Sequence, residues 1–197
     1  MIDNFELIKP LLTFESNDDF YHLQILRRGK DWPNLPAANR VIRTYYINCY
    51  STIREDEIKG LCEYFGARAY INLAPKSYKK CTMQCIADMA IRAKDGDFKK
   101  IYKTWNTVTG AIKSRYPHWI VDIDEHNSQL VTDITNYINS LSPITQTNKI
   151  ITYIPTKSGT HIITTPFNIM EFNNKYPNID VHKNNPTILY IPKSLDK

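Results

Sequence analysis

The chain has 197 residues, of which 42% are apolar, and 25 Lys and Arg against 20 Asp and Glu give a formal charge of +5. That length suits one domain or a compact two-lobed one with a sizeable core. No apolar run approaches the roughly 18 residues that a membrane span needs. The first residues, Met1 to Glu6, carry acids where a signal peptide needs basic residues and then a long apolar stretch. A soluble, cytoplasmic protein with no membrane partner is the expectation. The mild positive charge is compatible with a polyanionic partner and does not by itself specify one.

In chain order, an apolar cluster at Phe5, Leu7, Ile8, Leu11 and Leu12 comes first. Ser16 to Asp19 could cap a short helix, but the alternation over Tyr21 to Leu26 favours a strand. Arg27-Arg-Gly-Lys30 through Pro36 reads as a basic loop. The β-branched and aromatic run Val41 to Ile47 predicts a strand. A helix is expected over Asp56 to Phe65, with Ile58, Leu61, Cys62 and Phe65 inward and Gly66 ending it. Ala67 to Leu73 follows as a strand. Tyr78 to Lys94 predicts a helix with Cys81, Cys85, Met89 and Ala93 along one face, and Phe98 to Lys113 a further helix. The four cysteines (Cys49, Cys62, Cys81 and Cys85) read as reduced. Cys81 and Cys85 sit at a helical i, i+4 spacing with no His near, which is poor spacing for zinc.

The second half alternates more clearly. Strands are expected at Trp119 to Ile123, Lys149 to Pro155, Thr160 to Thr164 and Thr187 to Ile191, with helices at Gln129 to Leu141 and Met170 to Lys175. The order β-α-β-β-α-β matches a split βαβ arrangement. A boundary between halves is expected near Arg115-Tyr-Pro-His118.

Three short motifs in this half carry the chemistry. Trp119-Ile-Val-Asp122-Ile-Asp124 is an apolar strand that ends in two acids one residue apart. Residues i and i+2 of a strand share a face, so Asp122 and Asp124 project together. Paired carboxylates repel and are costly to desolvate, and a hard divalent cation, Mg²⁺ or Mn²⁺, relieves both problems. The alternative is an exposed strand end with Asp124 or Glu125 capping the next helix. Lys157-Ser158-Gly159-Thr160-His161 turns between two strands and offers an ammonium, hydroxyls and amide donors suited to phosphate. Gly159 there allows close approach of a ligand or a positive φ. An ordinary hairpin loop is the competing reading. Asp180 supplies a third acid, and His182, Lys183, Asn184 and Asn185 after it read as solvated loop residues.

Taken in order, a hydrophobic strand ending D-x-D, then S-G-x-H on a hairpin, then a hydrophobic-Asp pair resembles the archaeo-eukaryotic primase superfamily. That superfamily includes primase catalytic subunits, primase-polymerases and the polymerase modules of bacterial end-joining ligases. The resemblance covers roughly residues 115–192. It implies an α+β, two-lobed core: an N-terminal α/β lobe over residues 1–114 packed on an RRM-like split βαβ lobe over residues 115–197. It implies a metal-dependent nucleotidyltransferase acting in DNA replication or repair, on a DNA template with nucleoside triphosphates. It also implies replication partners such as a helicase, in a phage or other mobile element. Asp122, Asp124 and Asp180 would hold two Mg²⁺ or Mn²⁺ ions, and Ser158 and His161 would contact the incoming phosphates. Charge and proximity in sequence add Lys157 and Lys183 to the nucleotide-binding set, beside Gly159.

Two other functions fit the same residues. One is a non-catalytic module for nucleotides or single-stranded nucleic acid, using Tyr45, Tyr46, Tyr70 and Tyr78 interleaved with Arg43, Arg68, Lys76, Lys79 and Lys80. The other is a metal-dependent nuclease, since three acids and a His also suit water attack on a phosphodiester.

Overall fold

A computed structural model describes residues 1–32, 39–114, 116–144 and 148–195. The end of the expected basic loop, from Pro33 to Pro36, and Arg115 at the expected boundary lie outside the described residues.

The protein is a mixed α+β fold with two antiparallel sheets, and six α-helices among the described residues. In chain order the elements are β1 (Ile2–Asp3), α1 (Phe5–Ile8), β2 (Asp19–Arg27), β3 (Arg40–Ile47), α2 (Glu55–Phe65), β4 (Arg68–Ile71), β5 (Lys76–Ser77), α3 (Tyr78–Lys94), α4 (Thr104–Ala111), β6 (Trp119–Ile123), α5 (Ser128–Ser140), β7 (Ile150–Pro155), β8 (Thr160–Thr164), α6 (Ile169–Lys175), β9 (Asp180–His182) and β10 (Thr187–Ile191). The first sheet runs β1-β10-β4-β2-β3, with β5 also paired to β2, and the second runs β7-β8-β6-β9.

Local chemistry accounts for most boundaries. α2 stops at Gly66, whose φ of 54° is the left-handed conformation that ends a helix cheaply only for a residue without Cβ. Trp32 packs against that glycine and its indole donates to the Gly66 carbonyl. Ser77 caps α3 by accepting from the Lys80 amide, and Asn127 caps α5 by accepting from the Leu130 amide. The expected helix over residues 98–113 divides into a 3₁₀ segment at Phe98–Lys103 and the short α4. Ser16 to Asp19 leads directly into β2 rather than capping a helix.

The second sheet has the expected β-α-β-β-α-β order, with one correction. Its fourth strand is β9, at Asp180–His182, and the expected closing strand at residues 187–191 instead pairs with β1 and β4 in the first sheet. The reason is visible in the side chains. Thr187, Ile188, Leu189, Tyr190 and Ile191 are all buried, so this strand needs cover on both faces and takes an interior place. The short, more polar β9 suits a sheet edge.

Two apolar faces build the second sheet. Val121, Ile123 and Ile162 turn toward Ile134 and Ile138 of α5 and Phe172 of α6. Ile120, Ile154 and Ile163 turn the other way and join the core of the first sheet, with Leu23, Ile25, Ala69, Ile71 and Ile188. Polar ties fix the sheets to each other. The amide of buried Asn4 donates to the carbonyls of Pro155 and Ile188, each at 3.0 Å. His118 Nδ1 lies 3.0 Å from the Leu73 carbonyl. Asn72 donates to the Asn184 carbonyl at 3.1 Å.

His22 on β2 stands opposite Tyr46, and its Nε2 is buried without a hydrogen-bond partner. Burial, then the nearby charge of Lys76, pushes its pKa down to about 4. An unfolded His titrates near 6.5, so between these values the unfolded chain binds more protons and native stability falls as pH falls. Urea denaturation at pH 7 and pH 4.5 is expected to show an acid loss that shrinks in His22→Gln by on the order of 2 kcal/mol.

Candidate active-site cleft

The pairing register of the second sheet brings its functional residues together. Asp122 of β6 is the direct partner of His161 on β8 and of Asp180 on β9. Directly opposed residues in antiparallel strands project from the same face. One row across three strands therefore carries His161, Asp122 and Asp180. Two positions along the register, the pair Ile120 and His182 puts a second imidazole on that face.

Asp122 is the centre of this group. His161 Nε2 lies 3.2 Å from its Oδ1, and His182 Nε2 lies 4.0 Å from its Oδ2. The His161 contact is close enough for an ion pair but is not a well-aligned hydrogen bond, and Oδ1 is buried without a conventional partner. The imidazole of His161 holds the Asp122 carboxyl below the usual carboxylate range, against the opposing effect of burial, with His182 and Lys30 adding to the depression. Asp122 is thus a carboxylate at neutral pH with an oxygen that lacks a donor. The other ring nitrogen of His161, Nδ1, is 2.8 Å from Oγ1 of the fully buried Thr187 on β10. That contact orients the imidazole and ties the second sheet to the first at the site.

Two cavities meet at Asp122. One of about 390 Å³ is walled by Asp122, Asp124, Lys157, Ser158 and His161 on one side and by Arg28, Lys30, Arg68 and Tyr70 on the other. The second, of about 280 Å³, is lined by Asp122, His161 and His182 together with Gln24, Arg28 and Tyr70. Arg68 is held in place by a buried bidentate pair with Asp31, at 2.8 and 2.5 Å.

The structure distributes the expected site residues unevenly. Asp122, Asp124, Lys157, Ser158 and His161 share one cavity wall. Asp124 is exposed, and Asn127 rather than Asp124 or Glu125 caps α5. Lys157 reaches the Leu195 carbonyl at 2.6 Å from its place on that wall. Asp180 stands beside Asp122 by register, is exposed, and lines neither cavity. Lys183 lies with its ammonium 4.9 Å from the Trp119 ring centre and lines neither cavity. Among the described residues, no three His, Cys, Asp or Glu side chains converge closely enough to enclose a metal ion.

Gly159 departs from its expected use. Its φ is not positive, and what approaches it closely is the chain's own backbone. A Cβ placed there would sit 2.0 Å from the Ile123 carbonyl oxygen and 2.7 Å from the Glu125 amide. Only glycine lets the β7–β8 turn close onto the segment that carries Asp124.

The expected aromatic platform is mostly otherwise engaged. Tyr45 donates to Glu57, Tyr46 to Asn106, and Tyr78 packs on Phe20 with ring centres 4.3 Å apart. Arg43 pairs with Glu57, and Lys76 is buried with its ammonium on the Ile112 carbonyl. Of the four tyrosines, Tyr70 lines both cavities. His182, Arg28 and Lys30 are cleft residues that the motifs did not indicate. His182 was legible as the i+2 neighbour of Asp180, had residues 180–182 been read as a strand.

Compared with protein-family models, curated proteins and solved structures, the chain matches none. No helix among the described residues is long and apolar enough to cross a membrane.

Gly159→Ala is expected to cost about 1–3 kcal/mol of stability through forced displacement of backbone. Gly110→Ala, where an added Cβ meets nothing within 4 Å, should be neutral or slightly stabilising. Denaturant titration of the two variants side by side checks the contrast.

Proposed function

We propose that this protein is a metal-dependent nucleotidyltransferase of the primase-polymerase type, with the two-lobed core of the archaeo-eukaryotic primases. The observation that carries the reading is the row His161, Asp122, Asp180 across three paired strands, beside a basic-walled cleft. Residues from motifs separated by as many as 58 positions in the chain stand in one row. The rest of the cleft supports it. Arg28, Lys30, Arg68 and Lys157 give one cavity the positive wall that a triphosphate needs.

The donor set suits Mg²⁺ or Mn²⁺. Asp122 and Asp124 offer hard carboxylate oxygens to one cavity, and an ion held there would add a counter-charge to that of the imidazoles beside Asp122. Asp180 would join from the neighbouring strand. Such an ion supplies charge neutralisation for an attacking 3′-oxygen and for departing pyrophosphate. The chain's own residues do the rest. Ser158 and Lys157 would present donors to phosphate oxygens at the turn, and His161, steadied by Thr187, aligns the Asp122 carboxylate beside them. Tyr70 and Gln24 offer a surface for the nucleoside end in the adjoining cavity.

The test is template-directed incorporation of labelled nucleotides with Mn²⁺ or Mg²⁺. Asp122→Asn keeps the shape of the side chain and should lower the rate at least about 10³-fold, and Asp124→Asn should act similarly. Thr187→Val, which removes only the partner of His161 Nδ1, should cost about 10-fold. Incorporation unaffected by Asp122→Asn would overturn the assignment. Metal-dependent degradation of the template with no incorporation would select the nuclease reading instead.

A further inference from the structure

The positive charge of this chain is concentrated in one place. Residues 76–113 hold nine Lys and Arg against three acids, a net charge of +6, whereas the whole chain is +5 and all other residues together stand at −1. This stretch is the helical unit of α3, the 3₁₀ segment Phe98–Lys103 and α4. It is anchored on Phe20, Cys81, Cys85 and Val108. Lys79, Lys80, Lys94, Lys99, Lys100 and Lys103 are all exposed on it. Phe98 is 67% exposed and Tyr102 74%, although burial is the normal state of such side chains. The ammonium of Lys103 sits 5.4 Å from the Tyr102 ring centre, so charge and ring present together.

The unit is also contiguous with the cleft. The 390 Å³ and 280 Å³ cavities share Arg28, Tyr70, Asp122 and His161. The second shares Gln24, Tyr70 and Pro186 with a third cavity of about 130 Å³, which extends to Lys76 of β5 and to Thr109 and Gly110 of α4. The side chain of Asn184 donates to the Gly110 carbonyl at 3.0 Å and ties the loop after β9 to α4. These adjoining cavities form a groove from Asp122 to the C-terminal end of α4.

We propose that the α3–α4 unit is a docking surface for single-stranded nucleic acid, whose strand enters the cleft along this groove. The inference rests on the nucleotidyltransferase reading for what the strand does there, and on charge and continuity for where it binds. Phosphates meet the lysines, and unstacked bases can lie on Phe98 and Tyr102. An anionic bilayer fits less well, because the basic and aromatic groups are spread over a helix and a 3₁₀ turn instead of forming one helix face.

The experiment uses the full chain and a fluorescein-labelled 20-nucleotide oligo-dT, followed by anisotropy from 50 to 200 mM KCl. Lys99→Glu/Lys100→Glu/Lys103→Glu should weaken binding at least about 10-fold and reduce the log–log salt slope by about 2. The neutral triple variant to Gln should act in the same direction, and Phe98→Ala/Tyr102→Ala should lose at least about five-fold. Lys175→Glu, on the far helix α6, should change affinity less than about two-fold. Circular dichroism confirms that each variant is folded. Unchanged oligonucleotide affinity in the triple variants overturns the proposal. So does tighter binding to phosphatidylserine vesicles or to poly-glutamate than to oligo-dT. Calorimetry of Mn²⁺ with a nucleoside triphosphate on the same proteins separates the two readings. Loss of that signal in the wild type strikes the catalytic assignment, while the lysine effect alone decides the docking surface.

Discussion

The contact on which the cleft depends is the one between His161 and Thr187. It joins β8 of the second sheet to β10 of the first, and it places the opposite ring nitrogen against the Asp122 carboxylate. Register does the remaining positioning. Because Asp122 pairs with His161 on one side and Asp180 on the other, a slip of one residue in either pairing would turn a functional side chain to the opposite face. The apolar residues between them oppose such a slip. Val121, Ile123 and Ile162 must face the helices, and Ile120 and Ile163 must face the first sheet. Burial of ordinary aliphatic side chains thus fixes the alignment of polar ones, with each buried Ile or Val contributing about 1.5–3 kcal/mol.

The electrostatics follow from that placement. A half-buried carboxylate with no neighbours would hold its proton more tightly than one in water. Asp122 does the opposite, because imidazoles from two strands and the charge of Lys30 outweigh burial. The result is a fixed negative charge beside a wall of Arg28, Lys30, Arg68 and Lys157. Under the proposed function, these opposed charges would receive a cation and phosphates together. Lys157 already donates to the Leu195 carbonyl, and Arg68 is satisfied by Asp31. Arg68 contributes shape and rigidity more than free charge.

Much of this was legible in the sequence, for definable reasons. The β6 and β8 limits could be read directly because turn residues bracket short apolar runs, and the α3 limits because Ser77 caps its start and Asp95-Gly96 follows its end, although only Cys81 and Cys85 of the expected inward face are buried. The D-x-D pair and the S-G-x-H turn could be placed because each is local to one strand or one hairpin. What could not be read is what depends on partners distant in the chain. Residues 187–191 look like any apolar strand, and only the need to bury both faces assigns them to the first sheet. β9 is three residues long, too short for alternation to show, so from sequence His182 reads as a loop residue. Gly159 signals a tight approach but not its target, which is the backbone of residues 123 and 125. Tyr45, Tyr46 and Tyr78 have the residue types of a stacking platform, but their hydroxyls and rings are committed to Glu57, Asn106 and Phe20.

Cleft and basic helices also divide the labour of charge. Outside residues 76–113 the chain is close to neutral, so the positive wall of the cleft is a local arrangement and not a consequence of overall composition. The central proposal, that Asp122 and Asp124 hold a divalent cation at the cavity wall they share, is tested most directly by anomalous diffraction from crystals soaked in Mn²⁺ and a nucleoside triphosphate. The expected result is an anomalous peak within about 2.2 Å of an Asp122 carboxylate oxygen, with triphosphate density against Ser158 and His161. Well-ordered nucleotide with Mn²⁺ bound elsewhere, or no metal near Asp122 at saturating concentration, would contradict it.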